Sequence, residues 1–478
     1  MASKTKDRLL SLLRQGEPLD FKERLRLTLL LSVPAILAQL STIVMQYIDA
    51  AMVGSLGADD SASVGLVTTT TWLFNSICSA AVMGFAVQVA HLTGASEFKR
   101  ARKVVREAFT AILVFSGFLG IVGVAISGSL PHWLGGNERI APNATLYFRI
   151  FMLFMPVMGL NQLANAMLRC SGNLKVPSML GVLMCVLNVA LNFLMIFPAR
   201  RAVVMGTGIT IPGLGLGVEG AALGTAAAWL IVAVLALYYL VFRSAELSMV
   251  RELRGFLPTR LSLKRACRIG TPMGIQYVLL NSAQIVLTMI VAPLGSVAIA
   301  ANSFAITAES LCYMPGFGIS NAAITLTGQS LGAGRQRLAR QFGNMIVGLG
   351  TVTMSVMGVL LYVCAPLMMG LMSPVPEIVR TGTECLRIEA WAEPLFAASI
   401  VCNGVFTGAG DTRVPCLMNL LSMWGVRISL ALLLVGRFGL TGVWIAMCAE
   451  LCFRGVIFLV RFFRENWLRQ GERLRVNG

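Results

Sequence analysis

The sequence predicts an all-α polytopic membrane protein: twelve transmembrane helices in two six-helix bundles related by a pseudo-two-fold axis along the membrane normal. Three observations predict it. Of 478 residues, 56% are hydrophobic and only 13% charged, about half the roughly 25% charged of soluble domains, and the mean hydropathy is +0.76. Twelve apolar stretches are each long enough for the roughly 20 helical residues that cross a hydrocarbon core about 30 Å thick. Landmarks of the first half recur in the second at an offset of 238 residues.

The elements follow in order. Residues 1–27 are polar and basic. The first span, 28–54, is nearly all apolar but contains Pro34 and Asp49. It is too long for a signal-peptide core and lacks a small-residue cleavage site, so it is expected to stay in the mature protein. The second span covers 62–94, and a loop with Lys99, Arg100, Arg102, Lys103 and Arg106 follows. The third and fourth spans occupy 108–130 and 144–168; a tight loop with Arg169 and Lys175 leads into the fifth, 177–197. A glycine-rich loop precedes the sixth, 221–242, which completes an N-terminal lobe over 28–242. Composition then shifts sharply. Residues 243–269 carry Arg243, Arg251, Arg254, Arg260, Lys264, Arg265 and Arg268 and read as a linker. The second lobe, 270–463, holds spans near 270–294, 297–331, 342–371, 381–407, 414–436 and 439–460, and a basic tail fills 464–478.

The formal charge of +17 would suggest nucleic acid in a soluble protein. Here Lys and Arg cluster in alternate loops, as the positive-inside rule requires of cytoplasmic segments. Both termini, the 95–106 loop, the linker, Arg335/Arg337/Arg340 and Arg413 share the basic side. The other side holds Arg139, Arg200, Arg201, Arg380 and Arg437, and Arg200 with Arg201 runs against the rule. Both termini are therefore expected inside, with no nucleic-acid partner. The eleven cysteines, mostly within spans, show no metal spacing and read as small core residues. No GxxxxGK[ST] occurs, so the chain has no P-loop.

The repeat fixes the architecture. Pro34 falls on Pro272, Leu56-Gly57 on Leu294-Gly295, and Gly172 to Pro177 on Gly410 to Pro415, all at the same offset. With a four-residue slip, Leu92-Thr93-Gly94 matches Leu326-Thr327-Gly328. Six spans per half make the repeats parallel. Two such bundles leave a cleft that rocking opens to alternate sides, the mechanical basis of secondary transport. Asp49 falls on Leu287, so the carboxylate belongs to the first half alone. A charge in mid-span costs on the order of 3 kcal/mol on insertion scales and usually has a function.

VPAILAQLSTIVMQYIDAAMVGSLG, RCSGNLKVPSML, LNVALNFLMI, GLGVEGAALGTA and GAGDTRVP resemble the multidrug and toxic compound extrusion (MATE) transporters, in family order and over nearly the whole chain. The resemblance implies an antiporter that exports organic, often cationic, compounds against H⁺ or Na⁺, with no cofactor, no enzymatic activity and no partner beyond substrate and bilayer. It implies coupling residues at Asp49, Asn188, Asn192 and Thr225. The position of a seventh-helix glutamate found in some relatives falls on Leu280, which points toward a DinF-like pattern. A multi-pass monomer in a bacterial inner membrane is expected. A lipid-linked oligosaccharide flippase of the same superfamily is the alternative; such proteins commonly have extra spans and a more cationic cavity.

Asn188 and Asn192 stand at i, i+4, on one helix face. With Thr225 and one carboxylate they offer oxygens to Na⁺ or a hydrogen-bond cage to a protonated acid. The single charge favours protons, since burial disfavours the charged form. Pro34 removes a backbone hydrogen bond from the first span and is a candidate bending point. Glu309, Glu389 and Glu393 are second-lobe candidates for substrate or proton binding. Glu389 and Glu393, at i, i+4 on one span, are expected to share a face, with Arg427 as a neutralising partner. His91 and His132 read as incidental, and Asp411 with Arg413 as a turn contact.

Overall fold

The structure, a computed structural model, describes residues 2–136, 138–204, 207–249 and 255–469. Arg251 and Arg254 of the linker, and the tail beyond Arg469, lie outside the described residues. The first half contains α1 (Ala2–Gln15), α2 (Phe21–Gly54), α3 (Ala58–Gly94), α4 (Phe98–Ile126), α5 (Leu130–Trp133), α6 (Ala141–Leu153), α7 (Met155–Cys170) and α8 (Lys175–Ile196). A hairpin of β1 (Pro198–Val204) and β2 (Thr207–Leu214) and then α9 (Gly217–Tyr238) complete it. The second half contains α10 (Arg260–Val291), α11 (Ser296–Gly332), α12 (Gln336–Met372), α13 (Pro376–Glu389), α14 (Glu393–Gly408), α15 (Arg413–Leu420) and α16 (Ser429–Phe463).

These helices make twelve crossings. α6 and α7 form one broken span, bent by 48°, and α13 and α14 take the equivalent places in the second half, with α14 starting 238 positions after α7. Residues 413–463 run as 51 helical residues, which at about 1.5 Å per residue would stretch roughly 75 Å, far more than a bilayer. The chain turns back within them at Gly439, whose φ of 56° and ψ of −135° are not helical and suit glycine. The ends are set locally. Asp20 and Glu23 form a capping box at the start of α2, and Thr259 accepts from Ser262 N at the start of α10.

The repeat is closer than the sequence suggested. α3 and α11 each span 37 residues, begin 238 positions apart and need no slip. Gly94 therefore pairs with Gly332, not Gly328. The starts of α4 and α12, α7 and α14, and α8 and α15 keep the same offset. The starts of α6 and α13 lie 235 apart, and the match ends after α8, where the β-hairpin lengthens the first half. The residues read as a glycine-rich loop pair in antiparallel register, Val204 opposite Thr207. Arg200 and Arg201 fall on β1, and their side chains lie outside the described residues.

The seam between the halves obeys the same symmetry. α2 packs on α11 and α3 on α10, which are equivalent pairs. At the face that carries the chain ends the approach is close. A Cβ on Gly94 would lie 2.1 Å from the carbonyl oxygen of Gln329, and one on Gly332 would lie 2.0 Å from that of His91. His91 and Gln329 are themselves equivalent. His91 Nε2 lies 2.8 Å from the carbonyl oxygen of Gly408, and Gln329 Nε2 donates to that of Cys170 at 2.8 Å. His91, read as incidental, is thus a seam residue.

Candidate functional site

The first lobe gathers one carboxylate and three neutral polar groups where α2, α8 and α9 meet. Asn188 and Asn192, one turn apart on α8, are 0% and 1% exposed. α9 reaches them because its contact face is made of small residues. Cβ atoms on Gly220 and Gly224 would fall 2.4 Å from the Met195 carbonyl oxygen and 2.2 Å from Asn192 Oδ1. This is the small-residue packing that lets membrane helices touch, and it brings in the hydroxyl of the next residue, Thr225. Asn192 Nδ2 donates to Asp49 Oδ1 at 2.8 Å and to Thr225 Oγ1 at 3.2 Å. The four residues named from the sequence are therefore contiguous. Thr225 bonds across helices rather than back along its own.

Asn188 lies between the acid and the hydroxyl. One end of its amide is 2.6 Å from Asp49 Oδ1, the other 2.9 Å from Thr225 Oγ1. Against a carboxylate the amide nitrogen must face Asp49 and donate. Against a neutral carboxylic acid the amide oxygen can face it and accept. The orientation of this amide is thus tied to the charge on Asp49. Among the described residues no basic side chain forms an ion pair with Asp49. About half a turn before Asp49 comes the seam, where α11 crosses α2 and Tyr47 Oη donates to the Thr307 carbonyl oxygen at 2.7 Å. Nothing in the sequence marked Tyr47. Pro34 lies inside α2, near where a Cβ on Gly318 of α11 would meet the Ile36 backbone at 2.7 Å.

The second lobe buries charge differently. Glu389 and Glu393 are both 0% exposed, and among the described residues none of their four carboxyl oxygens has a hydrogen-bond partner. They do not share a continuous helix face as the i, i+4 spacing suggested. Glu389 ends α13 and Glu393 begins α14, so they flank the break in the tenth span. The equivalent break in the first half falls between Leu153 and Met155, with Pro156 matching Pro394. The break belongs to the scaffold, because each proline lacks an amide hydrogen; the acids are added to it. Glu309, also buried, lies within electrostatic reach of both.

Arg427 does not neutralise Glu389 or Glu393 directly. It pairs with Glu450 of α16 through Nη2 at 2.8 Å and Nε at 3.0 Å. Arg454 joins at 3.2 Å, and Ser422 Oγ donates to the same carboxylate. Arg427 sits in a π-helical stretch over Leu421–Ile428, which turns it toward α16. Sequence reading missed Glu450 and Arg454; four-residue spacing of opposite charges within an apolar span was the available signal. Asp411 likewise pairs with Arg461, not Arg413.

A model of the MatE family matches residues 34–194 and 272–433, one segment in each half. The "Probable multidrug resistance protein NorM" of Thermotoga maritima is 27% identical over 447 residues, covering 91% of this chain and 92% of that protein. Among solved structures, an outward-facing multidrug resistance MATE family transporter of the MOP superfamily superposes with a TM-score of 0.86 at 21% identity, covering 96% of this chain and 98% of the other. A MOP superfamily transporter from Pyrococcus furiosus, described as having a binding pocket of reverse polarity that suggests a different function, gives 0.86 at 20% identity, with 96% and 98% coverage.

Proposed function

The chain belongs to the MatE family of membrane transporters, and from that premise we propose that it exports organic, often cationic, compounds by antiport against inward H⁺. It is a multi-pass membrane protein and not an enzyme. The observation that carries the coupling assignment is the Asp49 cage, a lone carboxylate among three neutral partners. With no basic partner found among the described residues, the charge there is governed by what the site loads. Protonation neutralises Asp49 and frees the Asn188 amide to turn. Deprotonation restores a charge that needs both amides as donors. Each state favours a different packing of α2 against α8 and α9, and Pro34 is the proposed bending point. Na⁺ held by the same oxygens is the competing loading.

Asp49→Asn should insert and fold as wild type and lose gradient-driven export of a cationic dye in proteoliposomes; full export by this variant would sink the assignment. The same vesicles under a proton gradient, then under sodium alone, name the ion. Dye unaffected under both would point to a lipid-linked oligosaccharide flippase. The positive-inside asymmetry supports a bacterial inner membrane with both termini cytoplasmic. Glu309, Glu389 and Glu393 are proposed as second-lobe groups for substrate or protons. The buried, unpartnered oxygens of Glu389 and Glu393 support this, because such carboxyls are stable only when neutral or neutralised; Glu309 is included for its electrostatic reach to both.

A further inference from the structure

We propose that the N-terminal helix α1 is a strap that holds the two lobes closed at the face carrying the chain ends, and that it must release one lobe for that face to open. The inference rests on the alternating-access reading above.

The helix crosses the seam. Leu9, Leu10 and Leu13 are 3%, 3% and 0% exposed. They join a buried cluster dominated by the second lobe, with Ile319, Leu326, Phe342, Phe406 and Phe458. Yet α1 is tethered through residues 16–20 to α2, a first-lobe helix. Its last turn ties the lobes together. Arg14 Nη2 donates to the Ser171 carbonyl oxygen of the first lobe at 2.9 Å and to Gln329 Oε1 of the second at 3.3 Å. Its guanidinium also pairs with Glu246 of the linker. By occupying Gln329 Oε1, Arg14 aims the amide nitrogen across the seam at Cys170. From the second lobe, Arg335 Nη1 donates to the Leu13 and Glu17 carbonyl oxygens at 3.3 and 2.7 Å.

The repeat supplies a counterpart. The segment 238 positions after α1 is the linker, where Leu247 and Met249 are buried in a cluster with first-lobe residues such as Val89, Val105 and Leu163. Each half sends its leading segment across the seam. α1 adds a charged side chain that bonds both sides at once. When the lobes part, either α1 stays with the second lobe and Arg14 releases Ser171 and Glu246, or it stays with the first and releases both Gln329 and Arg335.

The test reads seam opening and needs no substrate. Thr325 is fully buried and donates across the seam to the Arg169 carbonyl oxygen at 3.1 Å. In reconstituted protein carrying Thr325→Cys, site-resolved mass spectrometry follows modification of that cysteine by a polar maleimide. Hydrogen bonds to charged groups predict that Arg14→Ala speeds modification on the order of ten-fold. Arg335→Ala should speed it less, and Arg14→Lys, a point charge without the planar fork, should fall between wild type and Arg14→Ala. Cys402, buried in the same cluster as the α1 leucines, should stay unmodified. Wild-type rates in both alanine variants would overturn the strap. So would equal gains at Cys402, which would make α1 a mere fold anchor. A failure of dye export alone would touch the transport reading and leave this result standing.

Discussion

At the scale of single residues, the buried charges divide into two kinds. Asp49 and the Glu309–Glu389–Glu393 group have no ion-pair partner among the described residues, whereas Glu450 is held by Arg427, Arg454 and Ser422. A buried, charge-paired network is structural by default, and breaking it from one side leaves uncompensated charge at a cost of about 3–5 kcal/mol. Glu450→Gln should therefore lower the thermal unfolding midpoint of the purified protein markedly. Glu389→Gln and Glu393→Gln remove carboxylates that nothing neutralises directly and should leave that midpoint unchanged or raised. Their effect should appear in transport, as a weaker dependence of export on the proton gradient. A large loss of stability in the two glutamine variants, with the gradient dependence intact, would make those acids scaffold. Asp49 was legible in the sequence because a mid-span carboxylate is conspicuous and its repeat partner is Leu287. The roles of Glu450 and Tyr47 were not, since each depends on which way a helix turns.

At the scale of elements, close approach is decided by what is missing from side chains. Gly220 and Gly224 let α9 rest on α8 and so deliver Thr225 to the cage. Gly94 and Gly332 let α3 and α11 touch backbone to backbone at the seam. A methyl at either seam position would meet a carbonyl oxygen at 2.1 or 2.0 Å, so something must shift. Gly94→Ala and Gly332→Ala should each part the lobes at the face of the chain ends, seen as faster modification of Thr325→Cys. Gly54, with nothing within 4 Å of an added Cβ, is the control and should give wild-type rates when changed to alanine. Glycines in a membrane helix could be read from the sequence, but their partner surfaces could not. The break between Glu389 and Glu393 was legible only in outline: Pro394 marks a disturbance, and the structure shows that the helix stops on one acid and restarts on the other.

At the scale of the whole molecule, two six-helix lobes meet through equivalent contacts, α2 on α11 and α3 on α10, while their interiors carry different chemistry. The first lobe holds a neutral-lined acid and the second a group of acids beside an ion network. Symmetric contacts with asymmetric buried acids suit the proposed cycle, in which one lobe senses the gradient while both move. With substrate saturating, the export rate should fall as the proton gradient is collapsed by an uncoupler at constant sodium. An unchanged rate, together with a fall on removing sodium, would assign the coupling to Na⁺ instead.

The sequence by itself determined the membrane class, the twelve crossings, the two-fold repeat and the candidate cage residues. Apolarity, charge and periodicity are local properties that accumulate along the chain and can be counted there. Tertiary structure decided the register of the second and eighth spans, the pairing of Arg427 and Arg454 with Glu450, and the bridging place of Arg14, whose partner Gln329 is 315 residues away. These rest on side chains from distant segments meeting in one orientation at a few ångströms. Many pairings satisfy the same local pattern, and only the packed fold selects among them.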